Sequence, residues 1–322
     1  MSAIKLDPEW KALWDVFSLM PKPVINDVYD LRKAANIGLA ASSASLPERP
    51  EIKETKHSVT SLDGTDIDVH QFVPPAAASD PSPQRAILFA FGGGMIAGNI
   101  DIWRTSIGDL AHRAGSQVFA VNYRLAPEHP APAAVEDFYA AARWLQARAA
   151  DFGVDPARVV LHGKSAGGGI AAGAALLARD RGELPHPLAA MSLVYPMLDD
   201  RSALPEGHPM EEYLVWTSRG SDLAWTALLG RGKDDRTDEN VSIYAVPARA
   251  KDLSGLPDTY IDVGALDLFR DEDIEFARRL AAEGVYVEFH LYPGVAHGFD
   301  SLRNMQVAQQ AISGQTRFLT NY

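Results

Sequence analysis

The sequence predicts an α/β fold, a mostly parallel sheet of about eight strands with helices on both faces. Three observations carry that prediction. Apolar runs recur at 86–91, 117–121, 159–162, 188–195, 259–263 and 285–291, with helical patterns between most of them, for instance 133–149 and 271–282. That alternation is the signature of βαβ units. Ahead of these runs, Ile67, Val69, Gln71 and Val73 alternate after an Asp63-Gly64 turn and can pair with 53–60 as an antiparallel hairpin. Finally, 322 residues, 47% of them hydrophobic, suffice for one large core.

The remaining elements follow in chain order. Asp7-Pro8-Glu9 is a helix start, with a capping Asp, Pro in the first turn and an acid near the positive dipole end. Trp10, Leu13, Trp14 and Phe17 continue at helical spacing until Pro21 and Pro23. A second helix is expected over 26–39, then a Ser/Ala/Pro loop over 40–50, and a surface loop over 74–83. Between Pro196 and Leu256 lies an insertion too long for a structureless loop. Helical patterns at 210–216 and 222–229 make it a small subdomain.

Composition narrows the function. A net charge of −12 leaves no excess of Lys and Arg for phosphates, which argues against nucleic-acid or anionic-membrane partners. The absence of cysteine removes disulfides and thiolate chemistry and fits a cytoplasmic protein. The segment Met1-Ser2-Ala3-Ile4 opens no apolar leader, and no run is long enough to span a membrane. The nine His residues form no evident ligand cluster, so no metal is expected.

Gly163-Lys164-Ser165-Ala166-Gly167 sits between an apolar strand and an Ala-rich helix. Gly-x-Ser-x-Gly in that setting is a nucleophile elbow, which lifts the Ser hydroxyl above the sheet. A dinucleotide reading of Gly167-x-Gly169-x-x-Ala172 or Gly92-x-Gly94-x-x-Ala97 lacks the acid that should close the next strand. A Ser nucleophile requires a base and an orienting acid further along the chain. His297, in the loop after the last strand, and Asp267, just past the strand before it, are in the required order. Asp271 is expected to cap the helix that follows, leaving Asp267 free. Gly92-Gly93-Gly94, at another strand end, and the N–H of Ala166 can make an oxyanion hole.

The chain resembles the hormone-sensitive-lipase family of α/β-hydrolases, which includes many microbial carboxylesterases. The resemblance rests on Phe91-Gly92-Gly93-Gly94, Asn122-Tyr123-Arg124-Leu125-Ala126-Pro127-Glu128-His129-Pro130, Gly163-Lys164-Ser165-Ala166-Gly167-Gly168, Asp267-Leu268-Phe269-Arg270-Asp271-Glu272 and His297-Gly298-Phe299. It implies an eight-stranded α/β-hydrolase core over 51–195 and 257–322. It also implies a helical cap made of 1–50 and the 196–256 insertion, and oxyanion donors at Gly93, Gly94 and Ala166. It implies a small-molecule ester or lactone substrate, no cofactor, and relatives that are often homodimers. Two residues depart from the family pattern: Phe91 stands where His usually fixes the oxyanion loop, and Lys164 stands where an acid usually precedes the nucleophile. Lys164 is expected to reach solvent or a cap carboxylate. Phe91, Met95, Lys164, Trp14, Met210, Tyr213, Leu214 and Leu268 are the candidate pocket residues, and the apolar cap residues among them favour an apolar acyl or alcohol group. A lactonase, an amidase or carbamate hydrolase with the same triad, and a non-catalytic receptor on the same fold are the alternatives.

Overall fold

The computed structural model describes residues 4–80 and 82–322. The Met1–Ala3 part of the leader reading and Pro81 of the 74–83 loop lie outside them. In chain order the elements are α1 (Pro8–Phe17), α2 (Val28–Ala44), β1 (Lys53–Thr60), β2 (Asp66–Val73), α3 (Pro75–Ser79), β3 (Gln84–Ala90), α4 (Ile100–Ala114), β4 (Gln117–Asn122), α5 (Ala133–Ala147), β5 (Val154–Lys164), α6 (Ala166–Arg181), β6 (Ala190–Val194), α7 (Ser218–Leu229), β7 (Asp258–Gly264), α8 (Arg270–Ala282), β8 (Val287–Tyr292) and α9 (Gln306–Asn321).

All eight strands join one sheet in the order β1-β2-β4-β3-β5-β6-β7-β8. The β1/β2 and β2/β4 pairs are antiparallel and the other pairs parallel. β4 and β6 are buried end to end or nearly so, which explains their unbroken apolar runs. The order also places the site. From β3 the chain steps to β4 on one side, whereas from β5 it steps to β6 on the other, although β3 and β5 are neighbours. Right-handed crossovers therefore put α4 and α6 on opposite faces. The loops leaving the carboxyl ends of β3 and β5 part from each other there and open the crevice where open α/β sheets bind ligands. β3 ends at the glycine triplet and β5 at Ser165.

Some local expectations change. α2 continues to Ala44 instead of ending near residue 39, because the Ala/Ser tract holds no Pro before Pro47 and Ser43 is buried, its hydroxyl facing that of Ser106 on α4. The 74–83 loop contains the short α3, begun by Pro75 ahead of three alanines. Met210 to Trp216 is not an α-helix; Pro209–Tyr213 makes a 3₁₀ turn, and α7 starts early because the Thr217 hydroxyl accepts the Gly220 N–H at 3.1 Å. Asp271 does not cap α8. It lies inside the first turn and pairs with Arg270, while the preceding position is Phe269.

Candidate active site

Ser165 occupies the single residue between β5 and α6 at φ 55°, ψ −122°, a conformation side-chain-bearing residues rarely adopt. Its neighbours make that turn affordable. A Cβ built on Gly163 would come within 2.1 Å of the Gly167 carbonyl oxygen, and one on Gly167 within 2.1 Å of the Ala90 carbonyl oxygen, so both positions require glycine. The Ser165 N–H donates to the Val194 carbonyl at 2.8 Å, tying the turn to β6. The N-terminus of α6 lies directly beneath and presents its positive dipole end.

His297 and Asp267 come to this turn from the loops after β8 and β7. His297 Nε2 lies 2.9 Å from Ser165 Oγ, and His297 Nδ1 lies 2.7 Å from Asp267 Oδ2. The Asp267 side chain is fully buried, and its Oδ1 accepts the Phe269 N–H at 3.0 Å. One carboxylate thus caps the turn locally and holds the imidazole. The ring is gripped by Tyr195 (centroids 4.5 Å apart) and Phe269 (5.3 Å), both edge-on. With Nδ1–H facing the carboxylate, Nε2 is left as an acceptor for the Ser165 hydroxyl proton.

The glycine triplet lies against Ser165: a Cβ on Gly92 would be 3.2 Å from Ser165 Cβ. Gly93 and Gly94 have φ of 135° and 63°, and the Gly93 carbonyl accepts the Ile96 and Ala97 N–H groups, closing the loop on itself. Among the described residues, the N–H groups of Gly93, Gly94 and Ala166 have no acceptor. Phe91 does not line a pocket. It is fully buried, stacked on Tyr123 at 4.2 Å, and the Tyr123 hydroxyl donates to the Phe91 carbonyl at 2.7 Å. Asn36 Oδ1 accepts the Gly98 N–H at 2.8 Å, and the Arg32 guanidinium donates to the Ile96 and Ala126 carbonyls. The loop is therefore anchored without the usual His.

The Lys164 ammonium turns inward rather than to bulk solvent or a cap carboxylate. It forms a buried ion pair with Asp300 in the loop after His297. Asp300 Oδ1 also accepts the Tyr195 hydroxyl at 2.7 Å. Burial pushes the Asp300 carboxyl up, but the Lys164 charge and hydrogen bond and the Tyr195 hydroxyl outweigh it and hold the group well below the usual carboxylate range. Asp300 and Tyr195 were absent from the sequence-derived site. The one signal was Lys164 itself, since a cation next to Ser165 must find a carboxylate if buried.

Met95 is also turned away. Its thioether end sits against Gly169, beside a void of about 10 Å³ lined by Ala131, Val135 and Leu228. Met210 is buried, its sulfur 3.6 Å from an Arg270 nitrogen, and Leu214 and Leu268 are buried as well. Trp14 and Tyr213 meet with ring centroids 5.7 Å apart. Trp216, outside the eight candidates, lies directly on the glycine loop, where a Cβ on Gly94 would come within 2.5 Å of its ring. Among the described residues, no group of three or more His, Asp or Glu side chains is arranged to hold a metal ion. Among the described residues, no helix is long and apolar enough to cross a membrane.

A family model described as the alpha/beta hydrolase fold matches residues 87–301. The chain belongs to this family. Its hormone-sensitive-lipase character agrees with its similarity to a carboxylesterase, NlhH, of Mycobacterium tuberculosis, at 33% identity over 306 residues, covering 91% of this chain and 88% of the relative. An ethyl acetate hydrolase of Pseudomonas putida is 30% identical, with 80% of this chain and 78% of the relative covered. Among solved structures, a bacterial heroin esterase superposes with a TM-score of 0.87 at 34% identity, covering 98% of this α/β-hydrolase and 97% of that chain.

Proposed function

We propose that this α/β-hydrolase is a serine carboxylesterase acting on esters with apolar acyl or alcohol groups, through an acyl-enzyme on Ser165. The observation that carries the reading is the unbroken chain Ser165 Oγ–His297–Asp267, at 2.9 and 2.7 Å, beside three N–H groups without acceptors. His297 Nε2 takes the Ser165 proton as Oγ attacks the ester carbonyl. The N–H groups of Gly93, Gly94 and Ala166 hold the resulting oxyanion, each donor being worth roughly 10²–10³ in turnover. His297 then protonates the leaving alcohol, and water attacks the acyl-enzyme by the same route. Asp267 keeps the proton on Nδ1 and stabilises the imidazolium.

In this reading residues 4–50 and 196–256 form the cap over the site. Each of the three catalytic loops has a contact from them: the Asp7 N–H donates to the Gly294 carbonyl at 2.9 Å in the His297 loop, Met210 lies on Arg270 behind Asp267, and Trp216 rests on Gly94. The pocket walls are then Trp216, Trp14, Tyr213, Leu214 and Leu268, an apolar set suited to an apolar ester. The test is hydrolysis of p-nitrophenyl esters from acetate to palmitate by wild type and Ser165→Ala. The reading expects turnover that vanishes in the folded variant. Turnover retained by Ser165→Ala would refute the assignment.

A further inference from the structure

Away from the catalytic triad, one region of this acidic protein is strongly positive. Asp109, on α4, is almost fully buried and receives three guanidinium groups: Arg49 at 3.0 Å, Arg113 at 2.9 Å and Arg303 at 3.1 Å. One carboxylate balances one of them, so two positive charges remain in excess. Other acids nearby have closer partners, although the Asp300 charge also acts on Arg113 and Arg303. Glu51 is engaged by His112 at 3.0 Å, Glu288 by Arg317, and Asp300 by Lys164. The three arginines border an open cleft of about 790 Å³, walled by the end of α4 and one face of α9, where Gln309, Ile312, Ser313, Thr316 and Thr320 recur at helical spacing. The Arg303 Nε–H is buried and has no acceptor. Burial and the Arg303 charge together pull the Arg113 guanidinium below its ordinary value, despite the opposing charges of Asp109 and Asp300.

Asp109 neutralises only one of the three guanidinium groups; the others add desolvation and repulsion, which the Thr316 hydroxyl, accepting from Arg113, offsets only in part. Forked donors, hydroxyls and an amide around a concave positive floor suit the oxygens of a phosphoryl group. We propose that the α4–α9 cleft is a binding site for a small soluble ligand bearing a phosphate or diphosphate group, held by Arg49, Arg113 and Arg303. The site is independent of ester hydrolysis at Ser165.

The test is calorimetric titration of the full chain with pyrophosphate and inorganic phosphate at constant ionic strength. Saturable one-to-one binding is expected, tighter for pyrophosphate, with a dissociation constant below about 1 mM. Ser313→Glu puts a carboxylate at an exposed position on the cleft wall, where it does not disturb the fold, and should weaken binding at least about tenfold, as should Arg303→Gln. Gln310→Glu, the same charge change at an exposed position outside the cleft, should bind within about twofold of wild type. No saturable heat up to about 10 mM would overturn the proposal, as would equal affinity in Ser313→Glu and Gln310→Glu. Sedimentation with phosphatidic acid vesicles without pyrophosphate binding would also overturn it, in favour of a lipid surface.

Discussion

Replacing Lys164 with Met keeps the length of the side chain and removes its charge. Asp300, only 1% exposed, then keeps the Tyr195 hydroxyl at 2.7 Å and a long contact to Gln315 at 3.5 Å, but no hydrogen-bonded cation. Breaking a buried pair from one side costs roughly 3–5 kcal/mol, because the remaining charge is left desolvated. At roughly 2–4 °C per kcal/mol for a chain of this order, Lys164→Met should melt about 6–20 °C below wild type at neutral pH. The pH dependence follows from the sign of the shift. In wild type the folded Asp300 pKa is depressed, so its stabilisation is complete above the ordinary carboxyl value of about 4 and is lost only well below it. In the variant, burial without a cation raises the same pKa. The folded state then holds the proton more tightly, and the deficit should shrink as the pH is lowered towards about 4. Lys164→Met/Asp300→Asn removes both charges and keeps an acceptor for Tyr195, so most of the loss should return. Melting followed by circular dichroism from neutral pH to pH 4 measures all of this. A single variant within about 1 °C of wild type, or a double variant no more stable than the single, would refute the reasoning.

Three other outcomes are expected. Asp267→Asn can still accept the Phe269 N–H but offers an amide N–H to His297 Nδ1, forcing the wrong tautomer; kcat on p-nitrophenyl acetate should fall by roughly 10⁴ with the melting temperature nearly unchanged. Trp216→Ala clears the space over Gly94 and should raise kcat/KM for long-chain esters relative to acetate by about tenfold, read from the chain-length profile. Asp262, fully buried between Tyr260 and Gln315, is pushed up to about 7, chiefly by burial. A raised carboxyl pKa means stability falls as pH rises from about 4 to about 7, and denaturant midpoints for Asp262→Asn should lack that slope.

The parts of the site that were legible in the sequence share one property: the backbone itself demands particular residues there. Gly163 and Gly167 allow the approach to neighbouring carbonyls that the Ser165 turn needs, Gly93 and Gly94 take positive φ, and His297 and Asp267 follow apolar strands whose ends are visible in the pattern. The topology then brings these loops together with no further information from side chains. What the pattern could not show is pairing across the core. A cation before the nucleophile must find an acid if buried, but nothing local picks Asp300 out of 42 acids, and after Gly298-Phe299 it reads as an ordinary polar loop residue. Phe91 was illegible for the same reason. As a replacement for a loop-fixing His it suggests a loosened loop; with Tyr123 stacked on it and bonded to its carbonyl, it is an alternative anchor. Both departures from the family pattern thus have a distant partner, Asp300 for Lys164 and Tyr123 for Phe91, and each partner contacts the elements that hold Ser165 or the oxyanion loop. Substituting either departure alone toward the family residue should therefore weaken the support around the site, because Lys164→Asp would bury two carboxylates face to face and Phe91→His would bring a polar ring against a tyrosine whose hydroxyl is already committed.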